Sequence, residues 1–441
     1  MRVRTFFQAC LALACVVINP GATASAQTPD VAAVRQEIEQ LRKEFEALQQ
    51  QYGERLSALE ARLGAAAPAA PAAPAAPVEP AAPATQTVDV PPGAAGAGGP
   101  SGALPLYSNA TAASKIFNPD IAVIGNFLGA AGRNTVNPSP ALELPESEAT
   151  FQAIVDPYAR ADFFFAFGEE GVEVEEGFLT FPTLPGGILA KVGRMRQAFG
   201  KVNTLHTHQV PWTDRPLVIN NLLGGEEGLA DAGMSVARLI PNPWIFLEAT
   251  GQVYRGDAGD IFHSSTRGDL SYTGHLRGYQ DITDSTNIDL GASYARGHNA
   301  AGVVDDVDVG RLTTDLWGVD AVVRWRPLQR VLYRSFVGRS ELLWSNREQP
   351  TGRERSFGYY VSSDYQFARR WFAGVRYDRS ERADDAALRD SGGSLLLTFW
   401  PSEFSQIRGQ YRRTRYAEGV NANELLFQFQ FSIGAHGAHT F

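Results

Sequence analysis

The clearest pattern in this chain is a strict alternation of apolar and polar positions in its last stretch, residues 424–441. Every second residue there is mostly apolar, and the residues between them are mostly polar or small. The apolar set includes Leu425, Phe427, Phe429, Phe431 and Ile433, and the other set includes Gln428, Gln430 and Ser432. A repeat of two is the period of an extended strand, whose successive side chains point to opposite faces. The pattern therefore predicts a long β-strand whose two faces meet different environments.

Similar alternating runs fill the chain from about Asp120 onward. Three of them show both faces cleanly, at 287–294, 314–325 and 356–367. In the second run, apolar residues such as Trp317 alternate with polar residues such as Asp320. Each run approaches the roughly 9–11 residues that a tilted strand needs to cross a bilayer. The runs predict an antiparallel sheet with one face toward lipid and the other toward a polar interior.

The breaks between the runs alternate between short and long. Short breaks occur at Pro182–Gly186, Pro327–Gln329 and Pro401–Glu403, and longer polar breaks lie near 198–227, 256–270, 298–311 and 346–353. Short turns at one rim and long loops at the other are typical of outer-membrane barrels. If Asp156-Pro157 is also a tight turn, the count is 16 strands, and 14 strands is the alternative.

These features together predict an all-β fold, a closed transmembrane antiparallel β-barrel over residues 119–441. Closure is required because only a closed barrel pairs every backbone polar group of a sheet within lipid. A soluble all-β protein is the alternative that the alternation alone allows. A soluble protein does not account together for the alternation of short and long loops, the C-terminal Phe441 and the signal-peptide pattern at the start of the chain.

The first 118 residues carry three patterns of a different kind. Residues 1–26 combine a basic start, an apolar middle and a small-residue cleavage site, which is typical of a secretory signal peptide. Residues 30–63 carry an apolar stripe at steps of three and four, which predicts a coiled coil; a single amphipathic helix on the barrel or membrane is the alternative. Residues 64–118 are rich in Ala, Pro and Gly, with a proline at every third position from Pro68 to Pro83, which predicts a stiff linker.

Charge and cysteine content narrow the class of protein further. The formal net charge of −9 argues against nucleic acid as a partner. Both cysteines, Cys10 and Cys15, lie in the signal segment, so its cleavage leaves no disulfide chemistry in the mature chain. A lipoprotein anchor at Cys15 is an alternative that fits poorly, because apolar residues continue after it. We predict a location in the outer membrane, with the coiled coil in the periplasm.

Two motifs resemble known barrel families. Residues 187–200 contain Gly193-Arg194 and Phe199-Gly200, and they resemble the strand-to-loop segment of porins akin to the phosphate-selective porins. The next residues, including His206-Thr207-His208 and 212–216, are similar to a group of barrels labelled zinc-regulated outer-membrane receptors. The resemblance covers most of 120–441 and implies an outer-membrane porin.

The same resemblance implies an assembly and a partner. Trimeric porins with an N-terminal periplasmic coiled coil are the better comparison, so a homotrimer is implied. The terminal Phe441 resembles the closing residue of outer-membrane barrels, which implies recognition by the barrel-assembly machinery. The chain departs from the phosphate-selective porins because only Lys191 and Lys201 remain as barrel lysines. A lysine-rich phosphate path is therefore not expected.

Residues 200–227 are too long for an ordinary turn and carry their own apolar patch. We expect this segment to fold into the barrel as a constriction loop, and a loop at a subunit contact is the alternative. The residues assigned to the constriction are Trp212, Asp214, Arg215, Leu217 and Leu223.

Charged residues on the polar strand faces are the candidates for the pore lining. Arginine facing lipid near the middle of a membrane is costly, so an inward position is favoured. The candidates are Arg194, Arg196, Asp289, Asp320, Arg324, Arg376, Arg408 and Arg412. An internal ion-pair network that only braces the wall is the alternative, and the mixture of signs leaves the selectivity open.

His206 and His208 are the candidate metal ligands, because His-x-His on a strand places both rings on one side. Zinc takes such pairs with a third ligand from elsewhere, for which Glu226, Glu227, His436 or His439 are candidates. The alternative is polar residues at a loop edge. Zinc is the one candidate cofactor, and the absence of a recognisable catalytic motif favours a protein that is not an enzyme.

The sequence thus predicts an outer-membrane porin, in contact with outer-membrane lipid, that lets small polar or anionic solutes diffuse through. A metal-linked (zinc) binding protein, or a structural barrel protein, is the alternative function.

Overall fold

The structure is a computed structural model that describes residues 119–168 and 171–434. The predicted signal peptide, coiled coil and linker lie outside the described residues. So do His436, His439 and Phe441. Within the described part, no helix is long and apolar enough to cross a membrane.

Sixteen antiparallel strands close into one barrel, and two short strands form a separate hairpin. The barrel strands of the first half are β1 (Asp120–Arg133), β2 (Leu142–Asp156), β3 (Ala159–Gly168), β4 (Gly171–Leu184), β5 (Ile188–Arg196), β6 (Ala230–Leu239), β7 (Phe246–Tyr254), β8 (Ser271–Thr283) and β9 (Thr286–His298). The hairpin strands are β10 (Val303–Val304) and β11 (Val307–Asp308). The remaining barrel strands are β12 (Thr313–Trp325), β13 (Ser335–Gln349), β14 (Gly352–Ala368), β15 (Trp371–Glu381), β16 (Arg389–Ser402), β17 (Ser405–Arg415) and β18 (Asn421–Gly434).

The first and last strands join the two ends of the sheet. β1 pairs antiparallel with β18 in continuous register from Ala122 opposite Gly434 to Arg133 opposite Asn423. This pairing leaves the sheet without a free edge, as a barrel requires. It also places the described ends of the chain at the same rim. The predicted fold class and the count of 16 strands are confirmed, and Asp156-Pro157 lies at the turn between β2 and β3.

The two faces of the barrel wall differ in the way that the alternation predicts. On β18, Leu425 is 58% exposed on the outer face, whereas Gln428 is 1% exposed on the inner face. On β14, Val361 is 51% exposed and its neighbour Ser362 is 3% exposed. The outer surface is therefore apolar, and the buried space inside the barrel is lined mostly by polar side chains.

The longest connections lie at one rim of the barrel and most of the short turns at the other, although nine residues, 326–334, separate β12 from β13 at the turn rim. At the rim that carries the described chain ends, β8 and β9 are separated by two residues, and so are β14 and β15. At the other rim, the connections include 197–229, 255–270 and 299–312. The predicted long loop near 346–353 is wrong, because β13 continues to Gln349 and β14 begins at Gly352. The backbone pairing of β13 with β14 continues through these polar residues to the tight turn at 350–351.

Candidate functional site

The connection between β5 and β6, residues 197–229, folds into the barrel, and we call it the inward loop. It contains two 3-10 turns, Val202–Thr204 and Thr207–Gln209, and one helix, α1 (Leu217–Leu223). Its fully buried apolar residues include Phe199, Val218, Ile219, Leu222 and Leu223, and they pack in one cluster with the inward-facing wall residues Leu316, Leu343, Tyr360 and Leu396. The inward loop therefore supplies an apolar core to a barrel interior that is otherwise polar.

The helix α1 is short and is defined at both ends. Pro216 precedes it, and Gly224 follows in the left-handed region (φ 78°) with its N–H donating to the Ile219 carbonyl. Glycine adopts this conformation without the cost that a Cβ would impose. Val218, Ile219, Leu222 and Leu223 are its buried residues, one side of the helix. The Leu217 N–H donates to Asp378 Oδ1 at 3.3 Å, which fixes the helix to the inner face of β15.

A buried ion-pair group holds the segment just before α1. Asp214 Oδ2 accepts from Arg376 at 2.8 Å and from Arg412 at 2.7 Å. The Arg376 guanidinium also lies over the Trp212 ring, 5.0 Å from its centroid. Burial alone would raise the pKa of Asp214, but the two arginines hold the pKa of this carboxyl well below its usual range. The contact is therefore permanently charged near neutral pH.

The neighbouring arginines bind backbone carbonyls of the loop. Arg408 donates to the Val210 carbonyl at 3.2 Å. Arg215 donates to the carbonyls of Val202 and Leu205 at 3.2 and 2.9 Å, so it braces the loop against itself. Burial, with Arg196 nearby, lowers the pKa of Arg215 to about 10, which leaves it charged at neutral pH.

The start of the inward loop contacts the wall formed by β9, β12 and β13. Lys201 Nζ lies 3.1 Å from Asp289 and 3.8 Å from Asp320. The Val202 N–H donates to Glu341 Oε1 at 2.8 Å. Gly200 is in the left-handed region (φ 62°), and a Cβ there would overlap the Glu341 carboxylate. The close approach of loop and wall at this point requires a glycine.

A third contact lies where the loop meets β2 and β4. Nδ1 of His206 is 2.7 Å from Glu175 Oε2 and 2.9 Å from Glu148 Oε2, and Nε2 is 3.0 Å from Glu176 Oε1. The His208 ring stacks at 5.9 Å from that of His206. Burial alone would lower the pKa of His206, but the carboxylates, Glu148 first, hold the pKa of the imidazole well above its usual range. We call these five residues the histidine–glutamate cluster.

The inward loop reaches opposite walls of the barrel. In the closed ring of strands, β4 and β14 are separated by β5, β6, β7, β8, β9, β12 and β13 on one side, and by seven other strands on the other. They are therefore diametrically opposed. Since α1 packs on Tyr360 of β14 and His206 contacts Glu176 of β4, the loop crosses the full width of the interior.

Most of the predicted pore-lining residues lie on the inner face, and most of them are paired. Asp289 pairs with Arg277 at 2.7 Å and lies 3.9 Å from Arg324. Arg376 and Arg412 hold Asp214, and Arg408 also donates to Gln428 at 2.8 Å. This arrangement holds the loop and at the same time lines the interior.

The assignment of Arg194 to the inner face is wrong. Lys191 and Met195 of β5 face inward, and Arg194 has the opposite parity and lies 3.5 Å from the exposed Glu173. Arg196 shares that parity but ends the strand, so its guanidinium turns to Glu175 at 3.0 Å and to the carbonyl of Glu226. The parity of β5 starts both arginine side chains outward, and only Arg196, at the end of the strand, brings its guanidinium back to a buried position.

Of the predicted third partners, His436 and His439 lie outside the described residues, and Glu226 and Glu227 are not among the carboxylates beside the His206 ring in the described part. Within the described residues, the ring of His206 meets Glu148, Glu175 and Glu176, whereas Glu226 contributes its backbone carbonyl to Arg196. His206 and His208 lie at a 3-10 turn and not on a strand. The run Glu173, Glu175 and Glu176 was the available signal, because paired acidic residues are unusual in a barrel strand.

No family model matches the chain. An uncharacterized protein of Aquifex aeolicus (strain VF5) is 28% identical over 400 residues, with coverage of 77% of this chain and 83% of the relative. Among solved structures, the chain is similar to a loop L8 deletion mutant of OmpT, an outer membrane protein of Vibrio cholerae, with a TM-score of 0.51, 10% identity and coverage of 72% and 99% of the two chains. It is also similar to the anion-selective porin from Comamonas acidovorans, with a TM-score of 0.48, 10% identity and coverage of 72% and 99%. At these identities the structural similarity concerns the fold.

Proposed function

We propose that this protein is an outer-membrane porin in which small polar or anionic solutes diffuse past the inward loop. The observation that carries the proposal is the inward loop itself, which crosses the interior between β4 and β14 and is fixed to the inner wall on both sides. A structural barrel has no need of a polar, charged interior with a loop that narrows it. The apolar outer face provides the surface that contacts outer-membrane lipid.

The exposure of the inward charges favours anions. In three inward-facing pairs the cation is far more exposed than its carboxylate: Arg160 against Asp162, Lys201 against Asp289, and Arg324 against Asp289. The side chain of Arg324 is 36% exposed, and that of Asp289 is 1% exposed. At these three pairs a diffusing solute meets the guanidinium and ammonium groups before it meets the carboxylates, which favours negative charge there, whereas Asp214 is more exposed than Arg376 and Arg412.

The location and the assembly belong to the same proposal. The fold of the outer membrane protein OmpT supports a place in the outer membrane. One of the OmpT structures to which this chain is similar is a trimer form, and a homotrimer is the assembly we propose. Recognition by the barrel-assembly machinery through Phe441, and a periplasmic coiled coil at 30–63, complete the arrangement that we propose.

Planar-bilayer recording of the purified full chain tests the function. We expect discrete conductance steps and, in a salt gradient, a reversal potential of the sign that anion preference produces. Folded protein that gives no steps would contradict the porin proposal and favour a structural barrel. Steps with a cation-selective reversal potential would contradict the solute class alone.

A further inference from the structure

We propose that the histidine–glutamate cluster binds a divalent transition-metal cation of the zinc type through Glu148, Glu175 and His206. Binding itself is independent of the porin function. A second step, in which the bound cation fixes the inward loop across the interior, rests on the proposed porin function.

Three ligand atoms from three separate segments converge in this cluster, all within 4.8 Å of one another. The shortest separations are from His206 Nδ1 to the carboxylate oxygens of Glu175 and Glu148, at 2.7 and 2.9 Å. Zinc holds nitrogen and oxygen ligands at about 2.0–2.2 Å, so tetrahedral neighbours lie roughly 3.3 Å apart. The two pairs therefore need to separate by only about half an ångström to admit the ion.

The hydrogen bond made by His206 Nε2 determines whether Nδ1 is free to bind a cation. Nε2 lies 3.0 Å from Glu176 Oε1, so a proton on Nε2 is donated to that carboxylate. A neutral imidazole in this tautomer would direct its Nδ1 lone pair at two further carboxylate oxygens, and like partial charges at this separation repel. The same carboxylates therefore favour a cation at Nδ1, either a proton or a metal ion that displaces that proton. A carboxylate on the far nitrogen is also the usual partner of a metal-binding histidine.

Glu148 provides an independent sign that a cation is accommodated here. It is 2% exposed, and among the described residues its Oε1 accepts no hydrogen bond. Glu175 and Glu176 differ, because Oε1 of Glu175 accepts from the Arg196 guanidinium at 3.0 Å and Oε2 of Glu176 accepts from the Arg196 N–H at 3.2 Å. A buried ionised carboxylate costs several kcal/mol unless it is paired. The Arg196 guanidinium is a cationic partner of Glu175, and Glu148 has only the His206 ring beside it among the described residues at ion-pair distance, together with His208 at 3.4 Å. A metal ion bound here supplies Glu148 with a stronger positive partner.

The donor set selects among cations. Calcium and magnesium prefer sites built from oxygen ligands, with six or more of them. An imidazole nitrogen together with carboxylates suits zinc and the neighbouring transition metals. A proton on Nδ1 is the competing occupant, but it can be donated to only one of the two carboxylates.

The position of the cluster gives the bound ion a second role. Glu148 belongs to β2 and Glu175 to β4, whereas His206 belongs to the loop, so one ion links the loop to two wall strands. On the opposite wall the loop is held by α1 and Asp214. Removing the ion therefore loosens one side of the loop and leaves the other attached, which widens the path beside β2 and β4.

Zinc binding to the folded full chain in detergent tests the site. We expect one Zn²⁺ per chain for the wild type and loss of this stoichiometry in Glu148→Gln and in His206→Gln. Glu173→Gln is the matched control, because Glu173 lies on the same strand β4 but is exposed and pairs with Arg194. Heat-modified migration on a gel checks that each variant remains a folded barrel. Equal zinc stoichiometry in wild type and both cluster variants would overturn the proposal.

X-ray absorption at the zinc edge tests the site without any substitution. We expect a first shell of nitrogen and oxygen with the outer-shell scattering of an imidazole. A spectrum of zinc surrounded by oxygen alone, without imidazole scattering, would contradict the assignment even if the variants fail to fold.

Single-channel recording with Zn²⁺ and then with a chelator tests the second step. We expect the conductance of the wild type to rise on chelation, and that of Glu148→Gln to be high and insensitive to zinc. Zinc binding with unchanged conductance would refute the role in fixing the loop and leave the site intact. Zinc binding in a protein that never conducts would refute the porin proposal instead, and conduction without zinc binding would refute the site alone.

Discussion

The two sides of the inward loop are attached to the barrel by different chemistry. On the β14–β17 side, α1 buries four apolar residues, and Asp214 pairs with Arg376 and Arg412. On the β2–β4 side, contact depends on two imidazole rings and three carboxylates. Arginine stays charged at any physiological pH and apolar contact does not titrate, so the first attachment is permanent. The second attachment has three carboxylates beside two imidazole rings. Its net charge depends on whether a proton or a metal ion lies between them.

This difference indicates that the two attachments of the loop have different roles. The permanent attachment keeps the loop inside the barrel, and the conditional attachment sets how far it extends toward β2 and β4. A loop held by equal contacts on both walls would be a fixed plug. Variants that weaken one attachment at a time test this asymmetry.

Deleting Leu217–Leu223 removes the apolar half of the permanent attachment. We expect single-channel conductance to increase severalfold while the barrel still assembles, because the wall strands pair without the helix. The matched control is deletion of 303–308, which holds the exposed hairpin β10–β11 and leaves the inward loop untouched. Unchanged conductance after the first deletion would contradict the assignment of α1 to the constriction.

Asp214→Ala removes the charged half of the same attachment. It leaves Arg376 and Arg412 buried without their shared carboxylate, and breaking such a pair costs about 3–5 kcal/mol. We expect a loss of this size in the free energy of unfolding, measured with guanidinium. Asp257→Ala is the control, because Asp257 is half exposed and its ion-pair partner in the described part of the chain is the exposed Arg255. Equal losses of unfolding free energy in the two variants would show that the buried Asp214 ion pairs contribute no more to stability than the exposed pair.

Gly200→Ala tests the point where the loop leaves the wall between the two attachments. The left-handed backbone and the overlap of a new Cβ with the Glu341 carboxylate predict a loss of about 1–3 kcal/mol. Gly186→Ala is the useful comparison, because Gly186 is also left-handed (φ 81°) but has open space around it. A loss no larger than that of Gly186→Ala would mean that the contact with Glu341 contributes nothing.

Lys201→Gln has the smallest expected effect. One charge about 8 Å from a diffusing ion changes its free energy by roughly 0.5–2 kcal/mol, depending on how much water lies between. We expect a reversal potential shifted toward lower anion preference, with little change in stability. Arg255→Gln, at an exposed site in the 255–270 connection, should leave the reversal potential where it is. If both variants shift the reversal potential by the same amount, the charge of Lys201 in the inward loop does not determine the ion selectivity.

Much of the fold could be predicted because its pattern is local. Alternation along 356–367 and 424–434 reports which side chains face lipid, and it needs no knowledge of the neighbouring strands. The tight turn at Asp156-Pro157 and the inward position of 217–223 follow from similarly local composition. Arg194 shows the limit of this reasoning, since spacing places two residues on one face but does not say which face is inside.

The sequence by itself determined most of the strand positions, the alternation of their two faces and the presence of a long apolar loop, because each depends on neighbours within a few residues. The choice of 16 strands over 14 needed the closed ring of pairings. Only the tertiary structure decided which side chains meet His206. Glu148 reaches it from β2, and Glu175 reaches it from β4 through a register shift between Phe164 and Phe165. That shift leaves Glu175 as an extra residue beside Glu176, so both turn to the interior although alternation would separate them. A bulge is set by pairing between strands, and pairing exists only once the barrel has formed.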